Sequence, residues 1–302
     1  MKFQFLRAKS AVSIAMTALV LAGCAGDPSD PLRDSVRNSR AGAPGEPQRT
    51  ASLMRVANAT ARSGDLATAA ALYRRAHQLN EVNSAPLIGL GNVLSGLGAH
   101  EQAAEAFRKA IKAQHADPDA LQNENADALH GLGNALIALD QPRAAIDQFE
   151  AVLKIKKAVQ TRTYNGIGVA HDMLGDHEIA QAFYRTGLKD KPDSLSLRNN
   201  LGLSLALARK FDEAIEILRR VAADTRAGSR NRLNLALVYG LSGNNTAARE
   251  VARLDLDEPA VRRNLLYYRT LRALNDPKAT LDAVGSGGAA PKGFTGKSSI
   301  GG

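Results

Sequence analysis

The most regular feature of the sequence is a pair of apolar landmarks that recurs about every 34 residues. The first landmark is a large apolar residue followed by a small one, and the six pairs are Val56-Ala57, Leu90-Gly91, Leu132-Gly133, Ile167-Gly168, Leu201-Gly202 and Leu235-Ala236. Successive pairs are 34, 42, 35, 34 and 34 residues apart. The second landmark is an alanine twelve positions after each small residue, and a bulky side chain follows it by four positions in five of the six copies. A repeat of this length predicts stacked helix hairpins.

Packing explains why these residue types recur together. A small residue on the first helix and an alanine on the second let the two helices of a hairpin approach closely, and the bulky residue fills the gap toward the next hairpin. One hairpin cannot bury its apolar face alone, so the units must stack. The spacing and residue types resemble the tetratricopeptide repeat. The resemblance implies an all-α, right-handed superhelical solenoid of about six hairpins over residues 50–258.

Two departures from the repeat change the predicted architecture. The 42-residue step indicates an eight-residue insertion around residues 117–125, as a longer loop or helix end. The sixth copy decays and is followed by Pro259 and an amphipathic run, which predicts a closing helix over residues 259–276 that seals the last apolar face. The remaining residues, 277–302, become rich in glycine and serine and are predicted to be a disordered tail.

The N-terminus has the pattern of an export signal. Three basic residues precede an apolar run over residues 11–21, which is too short to cross a bilayer of about 30 Å. The next residues, Leu21-Ala22-Gly23-Cys24, resemble a bacterial lipobox. The resemblance implies that residues 1–23 are a removed signal peptide and that Cys24, the only cysteine, carries a lipid. An ordinary signal peptide with a coincidental cysteine and an uncleaved anchor stay open as alternatives.

The residues after Cys24 predict a flexible tether and the membrane in which the protein is anchored. Residues 24–49 contain four prolines and few large apolar side chains, which favours a flexible segment. Ala25 stands where an aspartate would resemble an inner-membrane retention signal, so we expect anchoring at the periplasmic face of the outer membrane. Without a second cysteine, no intramolecular disulfide is possible.

Composition and charge narrow the class of partner. The chain has no tryptophan and only 4% aromatic residues, which favours helices over sheets. The formal charge of +9 includes three cations of the signal, which leaves 9 − 3 = +6 for the mature chain. Its basic residues are dispersed among acidic ones, without a block of five or six like charges. We therefore expect solvated helix faces and no nucleic-acid partner.

The sequence shows no pattern of catalytic residues. The six histidines do not pair at metal-ligand spacing, and no Gly-x-Ser-x-Gly elbow is present. The end of the chain resembles a phosphate loop, but Pro291 stands where its first glycine belongs. We expect no enzymatic activity, no metal, no cofactor and no small-molecule substrate.

The tetratricopeptide resemblance implies that the first helices line a concave groove that binds a peptide or helix. Its register gives the candidate groove residues Met54, Asn58, Ile88, Asn92, His130, Asn134, Asn165, Val169, Asn199, Leu203, Leu233, Leu237 and Leu241. Asparagines occupy equivalent positions in the first three copies, either as a peptide ladder or as ordinary family usage. The leucines at the C-terminal end form either a groove for an amphipathic helix or a core covered by the closing helix.

The C-terminal part carries a more specific resemblance. The segments over residues 234–244, 247–256 and 264–269 are similar to the TadD-type lipoproteins of the tight-adherence (Tad, or Flp-pilus) assembly system. The resemblance implies a pilotin-like role at the outer membrane with the secretin channel as the partner. Two alternatives stay open: an adaptor for cell-wall enzymes or the outer-membrane assembly machinery, and a periplasmic holding chaperone.

Overall fold

The computed structural model describes residues 45–114, 121–155 and 160–295. Secondary structure in these ranges consists of fourteen α-helices, without a strand. In chain order they are α1 Glu46–Arg62, α2 Leu66–Leu79, α3 Ala85–Gly96, α4 His100–Gln114, α5 Leu121–Ala138, α6 Pro142–Leu153, α7 Gln160–Leu174, α8 His177–Asp190, α9 Leu195–Leu207, α10 Phe211–Ala222, α11 Ser229–Ser242, α12 Asn245–Ala252, α13 Glu258–Leu274 and α14 Pro277–Gly285. The predicted signal peptide and Cys24 lie outside the described residues.

Six hairpins, α1–α2 to α11–α12, follow one another along the chain, and each helix packs on its sequence neighbours. The alanine landmark of every second helix is fully buried: Ala69, Ala103, Ala145, Ala180, Ala214 and Ala248 each have 0% exposure. The bulky landmarks are also buried, from Tyr73 at 3% to Leu218 at 0%. The predicted all-α repeat fold is therefore confirmed.

Ring-to-glycine contacts show what the small landmark does. A Cβ atom placed on Gly133 would lie 2.5 Å from Cε1 of Phe149, the ring on the second helix of the same hairpin. A Cβ atom on Gly166, in the next hairpin, would lie 2.6 Å from Cζ of that ring. Phe107 is held in the same way between Gly91 and Gly131. The rings thus connect successive hairpins, and the glycines provide the space that they occupy.

The turn inside each hairpin has one backbone geometry. The residue seven positions after the small landmark has a positive φ in all six copies: Gly64, Gly98, Asp140, Gly175, Arg209 and Gly243, with φ between 56° and 95°. Glycine enters this left-handed region without steric cost, which explains its use in four of the six turns. The two exceptions, Asp140 and Arg209, show that the repeat imposes the turn even on residues that disfavour it.

The ends of the solenoid differ from the boundaries expected from composition. Helix α1 begins at Glu46, four residues before the predicted start at residue 50. Residues 277–295, predicted as part of a disordered tail, instead contain α14 and a segment that packs on α11 and α13. Asp276 begins α14 by accepting hydrogen bonds from the backbone N–H groups of Lys278 and Ala279. The glycine-rich composition of residues 277–302 did not indicate this short helix, which depends on its N-terminal cap and on its packing.

Candidate functional site

The predicted groove residues all lie on the first helices α1, α3, α5, α7, α9 and α11. We call the surface that these helices line the first-helix face. Asn58, Asn92 and Asn134 are exposed there, one on each of the first three first helices, and we call them the open asparagine row. Asn58 Oδ1 accepts a hydrogen bond of 2.5 Å from the Tyr73 hydroxyl. Met54, Ile88 and His130 precede the row by four residues and are half-buried.

The same position becomes apolar and buried in the later repeats. Val169 is half-buried, Leu203 is 5% exposed and Leu237 is 0% exposed. Leu233 and Leu241 flank Leu237 by one helical turn on either side and are 9% and 6% exposed. The first-helix face is thus open and polar at its N-terminal end and closed at its C-terminal end.

The C-terminal segment causes this closure. Leu233, Leu237 and Leu241 belong to one core cluster with Val261, Tyr268 and Leu271 of α13 and Ala283 of α14. These leucines are therefore covered core residues and not an accessible groove, which corrects the helix-groove interpretation at these three positions. The sequence left this alternative open because periodicity shows which face is apolar but not what covers it.

Backbone contacts fix the covering segment beyond α14. The Tyr268 hydroxyl donates a hydrogen bond of 2.6 Å to the Gly288 carbonyl, and Asn264 Oδ1 accepts one of 3.0 Å from the backbone N–H of Ala290. Gly288 has φ of 74°, and a Cβ atom there would lie 2.6 Å from the Leu233 carbonyl oxygen. Glycine is therefore required at this position for close packing and for the backbone conformation, whereas composition alone suggested flexibility.

A cavity of about 1010 Å³ lies between α14 and the first-helix face of the last repeats. We call it the C-terminal cavity. Its apolar lining includes Ile137, Val169, Met173, Leu203, Leu207, Leu281 and Val284, and its polar lining includes Asp172, Asn199, Asn200, Asn231 and Asn234. Both Val169 and Leu203 were predicted as groove residues, and the structure brings them together here.

Asparagines form a chain of hydrogen bonds along the polar side of this cavity. Asn200 Nδ2 donates to Asn165 Oδ1 at 2.9 Å, and Asn199 Nδ2 donates to Asn200 Oδ1 at 3.1 Å. Asn234 Nδ2 donates to Asn199 Oδ1 at 3.0 Å. The predicted groove residues Asn165 and Asn199 therefore bind each other through Asn200. Sequence reasoning missed Asn200 and Asn234, although both lie two residues before a small landmark.

A buried carboxylate links the fourth and fifth repeats beside the cavity. Asp172 accepts hydrogen bonds from the Ser204 hydroxyl at 2.7 Å and the Tyr184 hydroxyl at 2.9 Å. Its Oδ1 also lies 2.8 Å from His177 Nδ1. Burial, followed by the Asp172 charge, raises the pKa of the Tyr184 hydroxyl well above its usual value, so this hydroxyl stays a neutral donor. Ser204 is fully buried, and the cluster therefore acts as a structural link.

His130, a predicted groove residue, is held neutral by its surroundings. The pKa of its imidazole is lowered from 6.5 to about 4, mainly by burial and then by the nearby Arg162 charge, against the opposing charge of Asp127. Its ring centroid lies 5.3 Å from that of Phe149. The side chain thus packs on a core ring instead of presenting a charge to a partner.

The His130 environment predicts a loss of stability in weak acid. Because the folded-state pKa lies below the unfolded value, the unfolded chain binds the proton more readily, and stability falls as the pH decreases from 6.5 toward 4. Between pH 7 and pH 5 the loss through this group is about 2 kcal/mol at most. Urea unfolding at both pH values should show a smaller difference for His130→Gln than for the wild type. An equal difference in the two proteins would contradict this assignment.

The described part of the chain contains neither a group of metal ligands nor a membrane-spanning helix. Over residues 45–114, 121–155 and 160–295, no three side chains of histidine, cysteine, aspartate or glutamate gather as metal ligands. In the same ranges no helix combines the length and the apolar character that crossing a membrane requires.

Comparisons with known proteins agree with the repeat architecture. Two tetratricopeptide-repeat family profiles match residues 83–158 and 165–232. Among the curated proteins, no match was found.

Three solved structures have similar folds. PilW, described as a widely conserved type IV pilus biogenesis factor, is 19% identical with a TM-score of 0.61, over 70% of this chain and 94% of PilW. PilF of Pseudomonas aeruginosa is 13% identical with a TM-score of 0.56, over 80% and 100%. A tetratricopeptide-repeat protein of Parabacteroides merdae is 17% identical with a TM-score of 0.59, over 78% and 89%. At these identities the likeness concerns the fold, and the fold of this chain is a tetratricopeptide-repeat solenoid.

Proposed function

We propose that the chain is a lipid-anchored scaffold of the outer membrane that serves Flp (Tad) pilus assembly. In this pilotin-like role it binds a component of the pilus machine, such as the secretin, through the open asparagine row. The observation that carries the proposal is the exposure of Asn58, Asn92 and Asn134 in three successive repeats, whereas the later apolar positions are covered by the chain itself. The tetratricopeptide-repeat fold is typically non-catalytic, which agrees with a binding function.

The chemistry of the row suits a protein segment. An asparagine amide offers both donors and an acceptor, so amides repeated along a solenoid can pair with successive peptide groups of an extended chain. The half-buried Met54 and Ile88 add apolar contact beside the first two amides. A lysine at these two positions would favour a terminal carboxylate, and their apolar character favours an internal segment instead.

Two kinds of observation, sequence motifs and the fold, support the pilus assignment. The lipobox-like Leu21-Ala22-Gly23-Cys24 supports an outer-membrane anchor, and the TadD-like segments support the Tad system. The PilW likeness supports a fold compatible with pilus biogenesis. The holding-chaperone alternative required an open apolar groove, and Leu237 and Leu241 do not supply one because they are buried.

Anchoring at the membrane brings the binding surface close to its partner. Acyl chains on Cys24 hold the solenoid at the membrane, and two or more chains bind far more firmly than one. The tether then confines the open asparagine row to a thin layer next to the membrane. This confinement raises the effective concentration of a partner segment in that layer, without any new contact.

The test uses a strain that lacks the gene and carries a plasmid copy of it. Membranes are separated on a non-denaturing gradient and probed for high-mass multimers of the pilus-locus secretin. We expect multimers with the wild-type copy but not with Cys24→Ala. We also expect few multimers with the triple variant Asn58→Ala/Asn92→Ala/Asn134→Ala, because the solenoid then lacks the amides that pair with the partner segment.

A matched control separates the row from the fold. The variant Gln78→Ala/Gln102→Ala/Glu150→Ala changes three exposed polar side chains on the second helices and should restore multimers fully. Normal multimers in the deletion strain would contradict the secretin assignment. Normal multimers and pili with Cys24→Ala would exclude anchoring from the mechanism.

A further inference from the structure

Helix α14 presents one apolar side to the solenoid and one polar side to solvent. Ala283 is 0% exposed, and Ala279, Leu281 and Val284 are half-buried. Lys278 and Asp282 are exposed, and both also border the C-terminal cavity. The alanines stand four residues apart and Leu281 and Val284 three apart, which is the spacing of an amphipathic helix that packs closely on its support.

The surface beneath α14 is an apolar part of the first-helix face. Val284 packs against the buried cluster that contains Leu203 and Leu235, and also against the cluster that contains Leu237. Leu281 and Val284 line the C-terminal cavity opposite Val169 and other apolar residues of α7 and α9. An amphipathic helix lying on such a surface is the helix-in-groove mode of peptide recognition, here within one chain.

Polar contacts hold the ends of α14 more than its middle. The capping bonds of Asp276 are local, and the Arg230 guanidinium donates a hydrogen bond of 3.0 Å to the Gly285 carbonyl at the last residue of the helix. Tyr268 binds the Gly288 carbonyl three residues further on. Among the described residues, no side-chain hydrogen bond joins residues 277–284 to the solenoid. With the C-terminal cavity of about 1010 Å³ beside it, α14 leaves much of the groove unfilled.

We propose that the first-helix face of α7 and α9, together with the first turns of α11, is a binding groove for an amphipathic helix and that α14 is its resident, displaceable occupant. A partner helix with small residues four positions apart and neighbouring aliphatic side chains binds the groove by replacing α14. The resident helix thus reduces the apparent affinity for the partner by the fraction of time that the groove is free. The inference goes beyond the proposed function, because it adds a second site, for a helical segment, at the opposite end of the first-helix face from the open asparagine row.

The test measures whether α14 binds the groove when it is supplied as a separate molecule. The probe is a fluorescein-labelled synthetic peptide of residues 275–290, titrated by fluorescence anisotropy against the full chain in detergent. The chain is compared with its Ala283→Asp variant, in which a charge at a fully buried position expels α14. We expect the peptide to bind the variant at least about tenfold more tightly than the wild type, because the groove is then free.

Three controls make the result specific. A peptide carrying Ala283→Asp should not bind, and the chain variant Ala273→Asp, the same change at an exposed position of α13, should behave like the wild type. Hydrogen exchange should show that α14 alone loses protection in Ala283→Asp, while α9 and α11 keep theirs. If that variant loses the protection of α11 as well, Leu281→Asp releases the helix at a half-buried position and replaces it in the titration.

Three outcomes would overturn the proposal. Joint loss of protection in α11 and α14 in both variants would make α14 an integral part of the core. Failure of the peptide to bind a variant whose α14 is released would show that the groove has no affinity for it. Dimers of the wild type in sedimentation, joined by exchange of α14, would make a second copy the occupant. None of these results depends on secretin multimers, so failure here is distinguishable from failure of the proposed function.

Discussion

Replacement of Leu237 by aspartate is expected to destabilise the C-terminal repeats severely. The Leu237 side chain is 0% exposed and belongs to a core cluster that includes Ala236 and Leu241 of its own helix and Tyr268 and Leu271 of α13. An aspartate there loses the apolar contacts and buries a carboxylate without a partner, which costs about 3–5 kcal/mol. For a domain of this size, such a loss lowers the midpoint of thermal unfolding by roughly 6–20 °C.

Thermal unfolding followed by circular dichroism measures this effect, with Leu254→Asp as the control. Leu254 is 69% exposed, and its substitution should leave the midpoint within about 1 °C of the wild type, as most surface changes do. A Leu237→Asp protein with an unchanged midpoint and impaired partner binding would contradict the core assignment. That result would restore Leu237 to the groove.

Gly133→Ala is expected to destabilise the third hairpin and its contact with the fourth. The added methyl group would lie 2.5–2.9 Å from three atoms of the Phe149 ring, which is 0% exposed and faces Gly166 on its other side. Close packing on both sides therefore leaves the buried ring little room to move. Overpacking of this kind costs about 1–3 kcal/mol or more, and the better helix propensity of alanine returns only about 1 kcal/mol.

The control for this substitution is Gly96→Ala. A Cβ atom there would meet only the flexible Leu66 Cδ1, at 3.0 Å, so we expect a neutral or slightly stabilising change. Adding Phe149→Ala to Gly133→Ala should cost less than the sum of the two single changes, because the added methyl group then meets no ring, and the sixth repeat has alanine at both positions, Ala236 and Ala252. A purely additive double-mutant cycle in urea unfolding would contradict the proposed contact.

The repeat architecture could be predicted because its physical cause is local and recurs. A small residue such as Gly133 and a bulky residue such as Phe149 stand at a constant spacing in successive repeats. Each hairpin therefore packs on the next in the same way. The turn geometry was equally regular. Even Asp140 and Arg209 adopt the left-handed conformation where other copies have glycine.

The accessible part of the first-helix face could not be predicted from the repeat alone. Register placed Asn92 and Leu237 at equivalent positions, yet one is exposed and the other is buried. The difference arises from the segment after the repeats, in which α13 and then α14 with Gly288 pack onto the last repeats. Local periodicity does not show which distant segment packs on a helix, and the glycine-rich composition of this segment predicted disorder instead.

Secretin multimerisation in the strain that carries Asn58→Ala/Asn92→Ala/Asn134→Ala is the most direct test of the central claim. The substituted side chains are exposed, and the loss of the Asn58 acceptor of the Tyr73 hydroxyl costs only about 1 kcal/mol, so the solenoid should keep its fold and its membrane anchor. We expect that the anchored, folded variant fails to support high-mass multimers on the non-denaturing gradient, whereas the second-helix control supports them. Wild-type multimer levels with the triple variant would contradict the claim that the open asparagine row binds the partner.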